Sequence, residues 1–354
     1  MKKLSIALVV ALAAVGVAVT AAIAQPAKSS AGGSVCVLLP DTKSSVRWET
    51  ADRPAFANAL KAAGVPYTIT NAQGDAQKQL SQANQCLANG AKVVIITSLD
   101  AGSSIAIQKA AKLKGAKTID YDRLVVGGKS AAYVSFDGHA VGVLQGQGVV
   151  AGLKAGGMYG KKPVVAELNG GPTDNNSFLF KGGYDSVLKP LYAAGTLKKG
   201  PDKFVPAWNN QDALTIFQQM LVQTGNKIDA VAAANDGLAN AVVTALKAAK
   251  LKPVPLSGQD ATSQGVQNII SGWQTMSVYK AVPLEANATA AVAVKLLKGK
   301  PLGATQTVNN KGYQEPAVLL KPQAITKANY KILFQQGYLK RSDVCVGTYA
   351  QYCK

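Results

Sequence analysis

Short apolar runs rich in β-branched residues alternate along this chain with longer, alanine-rich amphipathic stretches, and the series is run through twice. Residues 35–39, 67–70, 93–97, 118–121 and 133–136 read as strands, separated by segments long enough for crossover helices. That alternation predicts a parallel, doubly wound α/β lobe. It restarts at 164–168 and continues through 203–205, 230–234, 254–256 and 275–279, which predicts a second lobe of the same kind. Gly64, Gly90 and Gly115 stand where helices should end, in the role a left-handed C-terminal residue requires.

In open α/β sheets ligands lie beyond the carboxyl ends of the strands, so the residues after each strand are the ones to inspect. They are polar throughout: residues 41–48, Asp122 and Arg123, Asp137, residues 169–176, Trp208 and Asn209, Asn235 and Asp236, Gln259 and Asp260, and Lys280. Both lobes contribute, so a ligand held by all of them would sit in a cleft between the lobes. Asp, Asn and Arg can each pair with two hydroxyl oxygens, and indole faces cover the apolar face of a pyranose. Trp48 and Trp208 fall in these positions, one per lobe, which suits a sugar better than an amino acid or a metal. Any one Asp or Asn after a strand also serves as a helix N-cap, the reading favoured for Asp137 and Asp236. It fits Arg123 and Lys280 poorly, because a cation gains nothing from a helix start. Trp48 suits hinge packing equally well, and Trp273 reads as surface or packing.

The first residues add an address. Lys2 and Lys3 precede an apolar stretch from Leu4 to Val19, and Ala22-Ile23-Ala24 before Gln25 forms a small-residue cleavage site, so residues 1–24 read as a secretory signal peptide. The remaining 330 residues exceed the roughly 250 to 300 at which a single core stops growing, again predicting two lobes. The first cysteine after the leader is Cys36, too far on for lipid attachment, so a soluble exported form is expected, periplasmic or extracellular. The net charge of +19 falls to +17 without the leader. The lysines are scattered, mostly at the ends of helical stretches where the macrodipole favours cations, rather than gathered on one face with aromatics as nucleic-acid binding requires. Solvated faces are the favoured reading, with weak adhesion to an anionic envelope second. Cys36, Cys86, Cys345 and Cys353 in an exported chain point to disulfides, with three connectivities open. Cys36 with Cys86 and Cys345 with Cys353 is favoured, because the second pair closes a short C-terminal loop and the first lies within one lobe.

Enzyme readings are thin. His139 is the only histidine, so zinc clusters and histidine-based triads lack material. Gly127-Gly128-Lys129-Ser130 has the end of a phosphate loop, but the glycine required five positions before Gly128 is Arg123. Gly146-Gln147-Gly148-Val149-Val150-Ala151 matches a dinucleotide fingerprint only loosely and lies inside a helical stretch. A glycosidase pair of carboxylates is not excluded by counting. Acids interleaved with Arg and Lys should nevertheless stay ionised, leaving no proton donor of raised pKa. No cofactor and no metal is expected.

Arg47-Trp48, Tyr121-Asp122-Arg123, Ser135-Phe136-Asp137, Gly170-Gly171-Pro172-Thr173-Asp174-Asn175-Asn176, Asn235-Asp236, Ser257-Gly258-Gln259-Asp260-Ala261 and Gln274-Thr275-Met276-Ser277-Val278-Tyr279-Lys280 together resemble the D-xylose-binding proteins of the type I, ribose-binding-like solute-binding family. The resemblance covers essentially the whole mature chain. It implies two lobes joined by a three-segment hinge. Arg47, Arg123, Asn176, Asn235, Asp260 and Lys280 would bond the sugar, with Trp48 and Trp208 against the ring and Asp122 a further candidate. Two departures stand out: the stretch from Trp48 to Asp52-Arg53 is one residue longer than the family pattern, and the segment from Cys345 to Cys353 lies outside it.

The implied division puts residues 33–137 and 281–304 in an N-terminal lobe, 138–280 and 305–343 in a C-terminal lobe, and 344–354 in a disulfide-closed extension. The implied function is capture of a monosaccharide, D-xylose first, by closure of the lobes, and its delivery by a monomer to the membrane permease of an ABC importer. Ribose, arabinose or glucose as ligand, a role as sensor ligand for a chemoreceptor or kinase, and a secreted carbohydrate-processing enzyme are the rival readings.

Overall fold

The computed structural model describes residues 33–304 and 306–353; the segment read as a signal peptide lies outside the described residues. The chain first lays down β1 (Ser34–Leu39), α1 (Arg53–Ala62), β2 (Tyr67–Asn71), α2 (Ala76–Ala88), β3 (Ala91–Ile96), α3 (Ala101–Leu113), β4 (Lys117–Tyr121) and β5 (Ala132–Phe136). It then builds α4 (Gly138–Ala155), β6 (Val164–Asn169), α5 (Asn175–Ala193), β7 (Lys198–Phe204), α6 (Asn210–Gln223), β8 (Ala230–Ala233), α7 (Asp236–Ala248), α8 (Ser263–Ser271) and β9 (Met276–Tyr279). After these come α9 (Val282–Leu297), β10 (Gln306–Asn310), β11 (Tyr313–Leu320), β12 (Gln323–Thr326), α10 (Ile332–Gln335) and α11 (Arg341–Val344).

The first lobe is a seven-stranded sheet in the order β10-β11-β5-β4-β3-β1-β2, parallel except for the β10–β11 hairpin. Its inner strands are buried on both faces, as their unbroken apolar runs dictate: Val35 to Leu39 and Val93 to Ile96 are shielded by α1 and α9 on one side and by α2 and α3 on the other. The second lobe centres on the parallel sheet β7-β6-β8, and β9 pairs antiparallel with β12 beside it. The strand expected at 254–256 is reduced to one bridge, Val231 with Leu256, because Pro253 and Pro255 have no N–H to donate to a ladder. In this lobe α4 and α5 pack so closely that a Cβ on Gly142 would collide with the Phe180 carbonyl. That approach sets the position of Phe180 near the cleft.

The chain passes between lobes after Phe136, after Tyr279 and after Leu320. The third crossing corrects the expected boundary at 304–305. Residues 306–320 complete the first lobe's sheet, with β11 parallel to β5 in the register Ala317 to Tyr133. The reason is a tight two-residue turn: Lys311 and Gly312 adopt φ of 50° and 90°, the geometry that matches a hairpin's twist. Asn310 then anchors the hairpin, donating to the Val125 carbonyl at 3.0 Å and accepting from the Gly127 N–H at 2.6 Å.

The residue in excess between Trp48 and Arg53 has a structural counterpart. Trp48–Asp52 form a π-helical turn, and the Arg53 N–H donates to the Trp48 carbonyl five residues back. A π turn takes up one extra residue without ending the helix, so α1 continues in register behind it. Both disulfides join the favoured partners, Cys36 to Cys86 and Cys345 to Cys353. Asp137 caps α4 as expected, accepting from the Ala140 N–H at 3.0 Å. Asp236 does not cap α7; Asn235 does, accepting from the Leu238 N–H at 2.9 Å.

Candidate ligand-binding cleft

The nine residues singled out from the sequence, Arg47, Trp48, Asp122, Arg123, Asn176, Trp208, Asn235, Asp260 and Lys280, all line one pocket between the lobes. Each is brought there by a strand end or the turn that follows it. Ser44, Ser45, Asp174, Phe180 and Gln259 line it as well.

On the first lobe's side the side chains are fixed by charge. The Arg47 guanidinium pairs with Asp52 at 2.7 Å, Asp122 at 3.0 Å and Glu285 at 3.2 Å, all nearly out of solvent. The Tyr121 hydroxyl donates to Asp52 at 2.6 Å from beneath. Asp122, in left-handed backbone with φ of 58°, also receives Lys280 at 2.9 Å from the second crossing. Burial by itself would raise the Asp122 carboxyl. Lys280, Arg47 and Arg123 outweigh it and hold the group well below the usual carboxylate range. Glu285, behind Arg47, is pushed the other way by burial and by the charge of Asp122. Arg47 and Arg123 lie 4.5 Å and 5.3 Å over the Trp48 ring, whose Nε1 donates to Ser44 at 3.0 Å. Trp48 is therefore both packed and aimed at the pocket.

On the second lobe's side the fixing is local. Asp174 caps α5 through the Asn176 N–H at 2.9 Å, and its other oxygen accepts from the Trp208 Nε1 at 3.1 Å. Trp208 sits at φ of 57° on the bare backbone of Gly170, where a Cβ would run into the ring, and its edge meets Phe180 at 6.3 Å. Asp236, one residue past the cap, ties the start of α8 to β9 and the residues just before it, behind the pocket. It accepts from Gln274 at 2.9 Å, Ser277 at 2.8 Å and the Thr262 N–H at 2.8 Å, and burial lifts its pKa to about 7.

The two walls meet through these groups. Asn176 donates to the Asp122 carboxylate at 3.0 Å, Arg123 pairs with Asp174 at 3.0 Å, Ser45 donates to Asp260 at 2.9 Å, and Asn235 donates to the Ser44 carbonyl at 3.1 Å. These bonds draw the lobes together until the free cavity is about 20 Å³, room for one water.

One expectation needs correction. The pocket does hold an acid of raised pKa, Asp174, because burial there outweighs Arg123. Both its oxygens are occupied as acceptors, so it is arranged as an anchor. Asp174 lay inside the polar stretch 169–176 and its capping position was the available signal; Phe180, a helix-interior aromatic, gave none beyond periodicity. Glu285, 238 positions away, is brought to Arg47 only by the fold, whereas Asp52, five positions on, meets it across the π-helical turn, a spacing that the ordinary helical period does not flag. Trp273 is half-buried with Lys247 at 4.8 Å over its ring, and His139 is exposed at the start of α4, both away from the pocket.

Residues 35–301 match the family model described as a periplasmic binding protein domain. The chain belongs to that family. It is 35% identical to the D-xylose-binding periplasmic protein of Escherichia coli over 300 residues, covering 84% of this chain and 88% of that one. It is 34% identical to the multiple sugar-binding periplasmic receptor ChvE of Rhizobium radiobacter, covering 96% and 99%. Among solved structures, an ABC transporter solute-binding protein of Clostridium phytofermentans with bound β-D-glucose superposes with a TM-score of 0.82 at 29% identity, covering 88% of this binding protein and 99% of the other. The family's two-lobed α/β architecture is thus the one described above.

Proposed function

We propose that this chain is a periplasmic sugar-binding protein that captures a monosaccharide, D-xylose first, and hands it to an ABC importer without altering it. One observation carries the reading: bidentate and aromatic side chains from both lobes converge on a single pocket between the lobes, in a chain whose relatives are named for D-xylose binding. The pocket polar groups bond to one another across the cleft, so a sugar enters while the lobes stand apart. Its hydroxyls then take over as partners: Arg47, Arg123 and Lys280 donate, Asp122 and Asp260 accept, and Asn176 and Asn235 do both. Trp48 and Trp208 cover the ring. Because the ligand touches both lobes it favours the closed state, which the permease of the importer reads.

D-glucose as a further ligand is favoured by the multiple-sugar relative and by the glucose-bound structural neighbour. D-xylose and D-glucose differ only by a hydroxymethyl group. Calorimetric titration of the mature protein against pentoses and hexoses tests the reading. Saturable binding of D-xylose, with the sugar recovered unchanged, is expected. Absence of binding to every monosaccharide, or product formed from an oligosaccharide, overturns it.

A further inference from the structure

We propose that Tyr338, held by the disulfide-closed C-terminal segment, is a positioning residue that sets Asp260 in the cleft; the proposal rests on the sugar-binding reading given above. Tyr338 lies beyond the residues matched by the family model.

The argument begins with the backbone. Asp260 and Ala261 stand at φ of 90° and 46°, a conformation that side-chain-bearing residues keep only where their surroundings impose it. Three bonds impose it. The Asp260 N–H donates to the Val278 carbonyl at 2.8 Å, the Ala261 N–H donates to Ser277 Oγ at 2.9 Å, and the Tyr338 hydroxyl donates to the Asp260 carbonyl at 2.8 Å. The first two come from β9. The third comes from the C-terminal segment. The Tyr338 ring packs on Tyr279 with centroids 4.7 Å apart, beside the Lys280 crossing, and touches the apolar cores of both lobes. Burial, reinforced by the charge of Asp260, keeps the phenol protonated and therefore a donor.

What holds Tyr338 is the segment around it. Its own N–H donates to the Leu333 carbonyl of α10 at 2.9 Å. Beyond it, the Cys345–Cys353 link and the Arg341 donation to the Cys353 carbonyl at 2.8 Å close the chain into a loop. Gln267 of α8 donates to the Val344 carbonyl at 3.1 Å, and Val344 and Cys353 share one core with Ala261, Val266 and Ile269. The C-terminal segment thus clamps α8, which begins three residues after Asp260, while Tyr338 pins the carbonyl of Asp260 itself.

The test uses the full mature protein and Tyr338→Phe, which keeps the ring and removes the donor. Wild type is first titrated with D-xylose and, if needed, the other monosaccharides. With whichever sugar binds, Tyr338→Phe should weaken affinity roughly tenfold, chiefly through faster release, while the sugar-free melting temperature moves by at most a few degrees. Added to Asp260→Ala it should cost nothing further; added to Arg123→Ala it should keep its full effect. Cys345→Ser with Cys353→Ser should act in the same direction, less strongly. Unchanged affinity, or an equal loss in both backgrounds, overturns the proposal. If no monosaccharide binds the wild type, the sugar reading falls, and amide exchange in the sugar-free protein decides this one alone. Residues 259–263 should exchange faster in Tyr338→Phe, and unchanged exchange there rejects the role of Tyr338.

Discussion

The two walls of the cleft hold their side chains by opposite means. On the first lobe, Arg47 is fixed by Asp52, five positions on, and by Asp122 and Glu285, 75 and 238 positions away in sequence, through buried ion pairs. On the second lobe, Asp174 and Asn235 are fixed by N–H groups two and three positions ahead, at the start of the helices they cap. A wall built from remote charges loses everything when one partner goes, because the others are left buried and unpaired. A wall built from local caps loses one bond at a time.

The strongest challenge to that contrast is Asp122→Ala. It strips Arg47, Lys280 and Asn176 of a shared partner at once and should cost about 3–5 kcal/mol of sugar-free stability, with D-xylose affinity falling by two orders of magnitude or more. Chemical denaturation and calorimetry read both quantities. A loss confined to affinity would show that the charge network is not structural.

On the other wall Asn235 has two functions that can be separated. Asn235→Ala should weaken binding by roughly one to two orders of magnitude and also remove about 0.5–2 kcal/mol of stability with the cap. Asn235→Ser should restore the stability and leave the affinity loss, because a serine caps as well but does not reach Ser44. If serine restores both, Asn235 is a cap alone.

Asp236 sharpens the contrast through pH. Its folded pKa lies above the value of a free aspartate, so the folded state holds the extra proton: its contribution is fully present below about pH 4 and is lost as pH rises through about 7. The sugar-free melting temperature should therefore decline from about pH 4 to about pH 7, and more shallowly in Asp236→Asn. A slope unchanged by the substitution removes Asp236 as its source.

The smallest effect is spectroscopic. Trp48 lies under two guanidiniums and Trp208 on bare glycine backbone, so both emission bands should shift when D-xylose replaces their neighbours. Trp48→Phe and Trp208→Phe should each remove part of the shift, and a double variant with the full response would place the reporter elsewhere.

The same contrast explains what could be read in advance. The pocket residues were legible because parallel sheets direct ligands to strand ends, and Asp122, Arg123, Asn235, Asp260 and Lys280 stand there in the sequence itself. Their supports on the first lobe were not legible, since no local pattern ties Arg47 to Glu285. At 254–256 the β-forming Val254 and Leu256 predict a strand that the two prolines beside them, with no N–H to donate, reduce to a single bridge. The β10–β11 hairpin carried its own signal in Asn310-Lys311-Gly312-Tyr313. The resemblance implies a boundary at 304–305 instead, which assigns that hairpin to the second lobe.

That hairpin bears on the order in which the protein is made. β5 receives β4 on one side early in synthesis, but its other edge is covered only by β11, nearly two hundred residues later. The first lobe therefore stays unfinished while α4 to β9 of the second lobe emerge, and a chain cut short of Leu320 would present β5 as an open edge ready to pair with a neighbour. Neither lobe can be cloned as one continuous stretch, and a split-gene version would have to break the chain at a crossing and let the two pieces find each other.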